Sequence, residues 1–165
     1  IIADVQEGDK WLIDTILNQY GVKKITQTSS AIRLSSLACV AFNTCPLALA
    51  EAQRYIPSLI TKIEPLLAKH NLSQDDIVLR MTGCPNGCGR KTKAEIGFVG
   101  TAYGLYNLHI GGDRLGLRLN KKYKENLNEE QILQTLDELF RVYAKEKKGS
   151  ETFGDFANSK WISAN

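Results

Sequence analysis

Apolar residues recur at helical spacing in three stretches of the chain. Leu12, Ile13, Ile16, Leu17 and Tyr20 share one face of a segment from Lys10 to Tyr20, and Gly21 follows where a left-handed cap would end a helix. Leu59, Ile60, Ile63, Leu66 and Leu67 stripe the segment Pro57 to His70, in which Pro65 is expected to kink or divide the helix. Ile132, Leu133, Leu136, Leu139, Phe140 and Tyr143 do the same from Glu129 to about Lys145, with Asn128 and Gln131 forming a capping-box pattern. A fourth helix is expected from composition. Pro46 opens the run Leu47-Ala-Leu-Ala-Glu-Ala-Gln-Arg54, with Asn43 or Thr44 as its N-cap. Cys45 would then stand at a helix N-terminus, where the dipole and free amides favour a thiolate.

Short apolar runs bounded by turn residues predict strands at Ile77 to Met81, Ala94 to Val99 and Leu105 to Ile110, the last ended by Gly111-Gly112. Upstream, Lys24 to Ser36 is rich in Ser and Thr and predicts a linker running into a strand that ends near Cys39. The fold class expected is α/β (α+β), a mixed sheet flanked by helices. A boundary near Thr26 would separate residues 1–25, the end of a preceding structural element, from a domain over 26–165. The polar tail from Gly149 carries Phe153, Phe156 and Trp161 and is expected to pack against another surface.

A length of 165 residues suits one domain with its own core. No stretch of about 18 apolar residues occurs, which argues against a membrane span, and the early acids Asp4, Glu7 and Asp9 do not fit a signal or transit peptide. The chain opens on Ile1 and reads as a soluble, cytoplasmic piece of a longer protein. A net charge of +3 does not argue for nucleic acid. Its distribution is less even: Arg80, Arg90, Lys91 and Lys93 fall between positions 80 and 93 with no acid among them. That stretch is either a solvated basic face or an anion site beside a cofactor.

It surrounds the second of two cysteine pairs. Cys39 and Cys45 form C-x5-C, Cys84 and Cys88 form C-x3-C, and the chain holds no other cysteine. Two disulfides, buried small hydrophobes, a zinc site and an iron-sulfur cluster are the chemistries open to them. Zinc would make the chain a binding module for nucleic acid or protein, but zinc ribbons mostly use x2 knuckles, and His70 and His109 show no ligand spacing. A cluster fits the details better. Proline follows both Cys45 and Cys84, and Gly83, Gly87 and Gly89 let backbone amides approach inorganic sulfide without side-chain obstruction.

The two pairs, with Thr82-Gly-Cys-Pro-Asn-Gly-Cys-Gly-Arg90 around the second, resemble the siroheme and 4Fe-4S signature of the sulfite and nitrite reductase family. The resemblance extends through Leu47 to Arg54, Tyr106-Asn-Leu-His-Ile-Gly-Gly112, Tyr123-Lys-Glu-Asn126 and Phe153-Gly-Asp-Phe156, and it is strongest to the NADPH-dependent sulfite-reducing members. It implies the C-terminal half-domain of the family's hemoprotein fold. It also implies a 4Fe-4S cluster held by Cys39, Cys45, Cys84 and Cys88, with Cys88 bridging to the siroheme iron, and six-electron reduction of sulfite to sulfide. The partners implied are an NADPH-dependent flavoprotein and the remainder of the chain's own polypeptide, with no nucleic acid and no membrane. Asn86 and Arg90 are candidate cofactor contacts from their position in the loop, with Lys91 and Lys93 behind them. A nitrite reductase of the same family is the alternative. Family members are several times longer, and the residues that bind sulfite and donate protons lie mostly in their earlier part. No catalytic residue is therefore assigned here, and these residues alone are expected to be inactive.

Overall fold

The computed structural model describes residues 2–22 and 27–163. The chain divides into two compact units, Ile1–Ser30 and Ala31–Asn165. In the first, a 3-10 turn at Glu7–Asp9 leads into α1, Lys10–Gln19. The Tyr20 and Gly21 amides close its end, and Gly21 takes the expected left-handed φ of 70°. The boundary expected near Thr26 lies outside the described residues.

The second unit contains α2 (Ala31–Ser35), β1 (Leu37–Ala38), α3 (Ile56–Lys69), β2 (Leu79–Thr82), β3 (Ile96–Ala102), β4 (Leu105–Ile110), β5 (Lys121–Leu127), α4 (Glu129–Glu146) and α5 (Phe153–Ala157), the last continuing into a π turn, Asn158–Ile162. The five strands form one sheet in sequence order. β1, β2 and β3 are mutually parallel, while β4 and β5 add antiparallel, so the sheet is mixed as expected.

One face of that sheet builds the core. Leu79, Met81, Ile96, Phe98, Leu108 and Ile110 are each 0% exposed. They cluster with Leu59, Ile60, Ile63 and Leu67 of α3 and Ile132, Leu136 and Phe140 of α4. Each such side chain stabilises the fold by about 1.5–3 kcal/mol relative to exposure. α3 runs unbroken through Pro65, because buried side chains before and after it hold both halves to the sheet. The capping box forms at α4: Asn128 Oδ1 accepts from the Gln131 amide at 2.9 Å and Gln131 Oε1 from the Asn128 amide at 3.0 Å. The tail packs on α4, with Phe153 edge-on to Phe140 (5.7 Å) and Tyr143 (5.4 Å), and Phe156 edge-on to Trp161 (5.3 Å).

Two further expectations need correction, and one strand was not expected. Residues 46–54 form no helix, because their amides bond across the fold: Leu49 and Ala50 N–H donate to the Gly83 carbonyl (2.8 and 3.0 Å) and Gln53 N–H donates to the Cys39 carbonyl (3.0 Å). Tertiary bonds override the local helix propensity, and Cys45 gains no helix dipole. The described part of the expected linker contains the short helix α2, pinned by Ile32 in the core, by Ser35 Oγ on the Ile77 carbonyl and by Arg33 on Glu64. β5 had no expectation, since its sequence Lys-Lys-Tyr-Lys-Glu-Asn-Leu belongs to an edge strand that buries only Leu127.

Candidate metal centre

Both cysteine loops leave the sheet at the same end. β1 and β2 run parallel with Leu37 opposite Arg80 and Ala38 opposite Met81, so Cys39 follows directly on one carboxyl end and Gly83-Cys84 on the other. The crevice beyond the carboxyl ends of parallel strands is where open α/β sheets bind ligands.

The loops are tied together through backbone atoms. The Cys39 amide donates to the Met81 carbonyl at 3.2 Å, and the Gly83 carbonyl receives the Leu49 and Ala50 amides. Gly83 N–H donates to Cys39 Sγ at 3.2 Å, so the second loop's backbone also holds the first loop's sulfur. Glycine is required at Gly83 by close approach: a Cβ there would stand 2.6 Å from the Ala50 carbonyl oxygen and 2.7 Å from Ala41 Cβ. Gly87 is required by conformation, with φ at 77°. Two other residues of the loops, Ala41 (φ 51°) and Arg90 (φ 53°), also occupy the left-handed region that side chains disfavour. Such concentrated backbone strain is typical of ligand-holding loops.

All four cysteines line one cavity of about 90 Å³, together with Ala41, Leu47, Ala48, Thr82, Gly83 and Asn86. That is far below the ~300–1,000 Å³ of a pocket for an organic ligand and suits a compact inorganic group. All four are free thiols, so the disulfide alternative is not realised. Besides the Thr82 hydroxyl and the Asn86 amide, the lining offers sulfur, aliphatic carbon and backbone, with no carboxylate or imidazole, a donor set for soft metals. Among the described residues no three His, Cys, Asp or Glu side chains converge to hold a single ion. Zinc requires its thiolates at about 2.3 Å from one centre. A cubane takes its thiolates at four separate corners.

The sulfurs differ in access. Cys84 is buried, Cys39 and Cys45 are partly buried, and Cys88 is exposed. Asn86 lines the cavity, while Arg90 is exposed and outside the cavity lining, its amide on the Gly87 carbonyl at 2.8 Å. Lys91 is half-buried and burial lowers its pKa; Lys93 is exposed. The backbone clasp made by Leu49, Ala50 and Gln53 was not visible in the sequence, although the small residues Ala48, Ala50 and Ala52 were a signal of close approach.

No family model matches the chain. It is 60% identical over 158 residues to the sulfite reductase [NADPH] hemoprotein beta-component of Leptospira biflexa, covering 96% of this chain and 28% of that protein. The beta-component of Escherichia coli is 52% identical over 156 residues, covering 94% of this chain and 27% of the relative. The chain thus spans a little over a quarter of the length of these curated relatives. In fold it is similar to the NirA protein of Mycobacterium tuberculosis, with a TM-score of 0.74 and 24% identity, covering 93% of this chain and 30% of that one.

Proposed function

We propose that this chain, whose relatives are sulfite reductase hemoproteins, is the part of such an enzyme that holds its 4Fe-4S cluster and presents it to siroheme. The observation that carries the reading is the single small cavity lined by four free cysteines, of which Cys88 alone is exposed. Cys39, Cys45 and Cys84 anchor the cluster from the sheltered side, and the exposed sulfur of Cys88 is the one available to a second metal group.

When bound, the coupled cluster and siroheme supply single electrons and an iron with an open position for a sulfur oxyanion. The chain's own residues do the holding. Gly83 N–H holds Cys39 Sγ in place, and the Gly83 carbonyl fixes the first loop against the second. Ala41, Leu47 and Ala48 give the cavity an aliphatic wall beside the sulfurs. Asn86 and the cations Arg90, Lys91 and Lys93 form the rim that an anionic tetrapyrrole and an anionic substrate approach.

In the whole protein this arrangement serves the six-electron reduction of sulfite to sulfide, with electrons from NADPH through a flavoprotein partner, in the cytoplasm. Residues 26–165 form the cluster domain and 1–25 close a preceding element. Among the described residues no helix is long and apolar enough to cross a membrane. Cys88→Ser in the siroheme-loaded protein tests the assignment. Loss of the magnetic coupling between cluster and siroheme is expected, and coupling that survives the change would show that another atom makes the bridge.

A further inference from the structure

The two long helices finish side by side at the end of the sheet opposite the cysteine loops. β1 and β2 are parallel, so α3, which connects them, runs back across the sheet and ends at Lys69 beyond the amino end of β2. α4 runs alongside in the same direction, since its Glu129 pairs with Lys62 and its Asp137 with Lys69 further on. Between the last turns of the two helices lies an open groove of about 480 Å³. Lys69, Arg141, Lys145 and Lys147 surround it, Leu72 and Ala144 give it an apolar wall, and no carboxylate lines it.

These cations exceed their counter-charge. Lys69 shares Asp137 with His70 (2.7 Å each), and Lys147 pairs with Asp75 (2.7 Å). Arg141 and Lys145 make no ion pair among the described residues. They stand one turn apart on α4, where like charges repel. The helix ends do not need them as caps. The Asn71 amide on the Ala68 carbonyl (3.1 Å) and the Leu72 amide on the Leu67 carbonyl (2.8 Å), with Asn71 at φ 58°, close α3 as a Schellman turn, and the Lys147 amide closes α4 on the Tyr143 carbonyl at 2.9 Å. Four cations gathered round one groove, two of them without a role in the fold, suit an anion that the chain itself does not supply.

We propose that the groove between the ends of α3 and α4 binds a small phosphate-bearing anion. Its volume falls within the ~300–1,000 Å³ of pockets that take organic ligands, unlike the cysteine cavity. The planar fork of Arg141 grips two phosphate oxygens, and Lys69, Lys145 and Lys147 add point charges from the surrounding walls. The ligand is either an organic phosphate ester, whose organic part rests on Leu72 and Ala144, or an inorganic polyphosphate. The site does not depend on the redox reading above.

Calorimetric titration of the full chain at fixed salt with inorganic tripolyphosphate, and separately with ATP, both free of divalent metal, tests this. At least one probe is expected to bind, about tenfold or more weakly in Arg141→Gln and unchanged in Lys121→Gln, which removes the same charge from β5. Tighter ATP binding assigns the groove to an organic ester, and tighter tripolyphosphate binding assigns it to inorganic phosphate. Lys145→Gln, on the exposed face of α4, serves if Arg141→Gln does not fold, and is expected to weaken binding several-fold. Failure of both probes to bind, an equal loss in Lys121→Gln, or tighter binding of a hexaglutamate peptide than of either probe would overturn the proposal.

Discussion

Gly83→Ala puts one methyl group into the junction of the two cysteine loops. The added Cβ would meet the Ala50 carbonyl oxygen at 2.6 Å and Ala41 Cβ at 2.7 Å, closer than real Cβ atoms come. Neither obstacle is the end of a flexible side chain, so the loop keeps the clash or moves. Overpacking of this kind costs about 1–3 kcal/mol. Moving instead gives up the bonds of Leu49 and Ala50 to the Gly83 carbonyl and of Gly83 N–H to Cys39 Sγ, at about 0.5–1.5 kcal/mol each. Either route leads to a loss of about 2–3 kcal/mol, a large fraction of a domain's usual 5–15. Urea unfolding should show a lowered midpoint at unchanged slope, and iron bound per chain should fall with it, because the same atoms seat Cys39. A variant with wild-type midpoint and iron content would refute the claim that Gly83 clasps the two loops.

Other expectations follow from single residues. Glu95 is 0% exposed and accepts from the Val78 and Gly154 amides (both 2.8 Å), and desolvation raises its pKa despite those bonds. Its stabilising contribution is therefore full below the ordinary carboxylate range and lost as pH rises through the raised folded value; urea midpoints across this range should show that slope in wild type and not in Glu95→Gln. His109 has the opposite sign: with its pKa pushed down to about 4, its contribution is present above the ordinary histidine value and lost as pH falls through the folded one. Its ring resonances should stay those of neutral imidazole at pH 5.5. Asn128→Ala breaks the capping box of α4 and should cost about 1 kcal/mol in thermal unfolding without altering metal content.

The sequence revealed the parts of this fold whose signals are local. α1, α3 and α4 follow from apolar period, and Asn128 with Gln131 marked the start of α4 to the residue. The strands flanking the second cysteine pair followed from short apolar runs, although β3 begins at Ile96 and not at Ala94. Nonlocal bonding was invisible. Leu47 to Arg54 has every mark of a helix, yet its amides are taken by Gly83 and Cys39. β5 lacks alternation because an edge strand buries little. The cysteines stood out by type and spacing, but their different exposure depends on how the parallel strands bring the loops to one end of the sheet.

The central claim is that Cys39, Cys45, Cys84 and Cys88 hold an iron-sulfur cluster. Anaerobic metal and acid-labile sulfide analysis of the purified protein tests it most directly. Iron and sulfide are expected in equal amounts with a broad visible absorption, both lost together in Cys84→Ser. One zinc per chain with neither iron nor sulfide would contradict it.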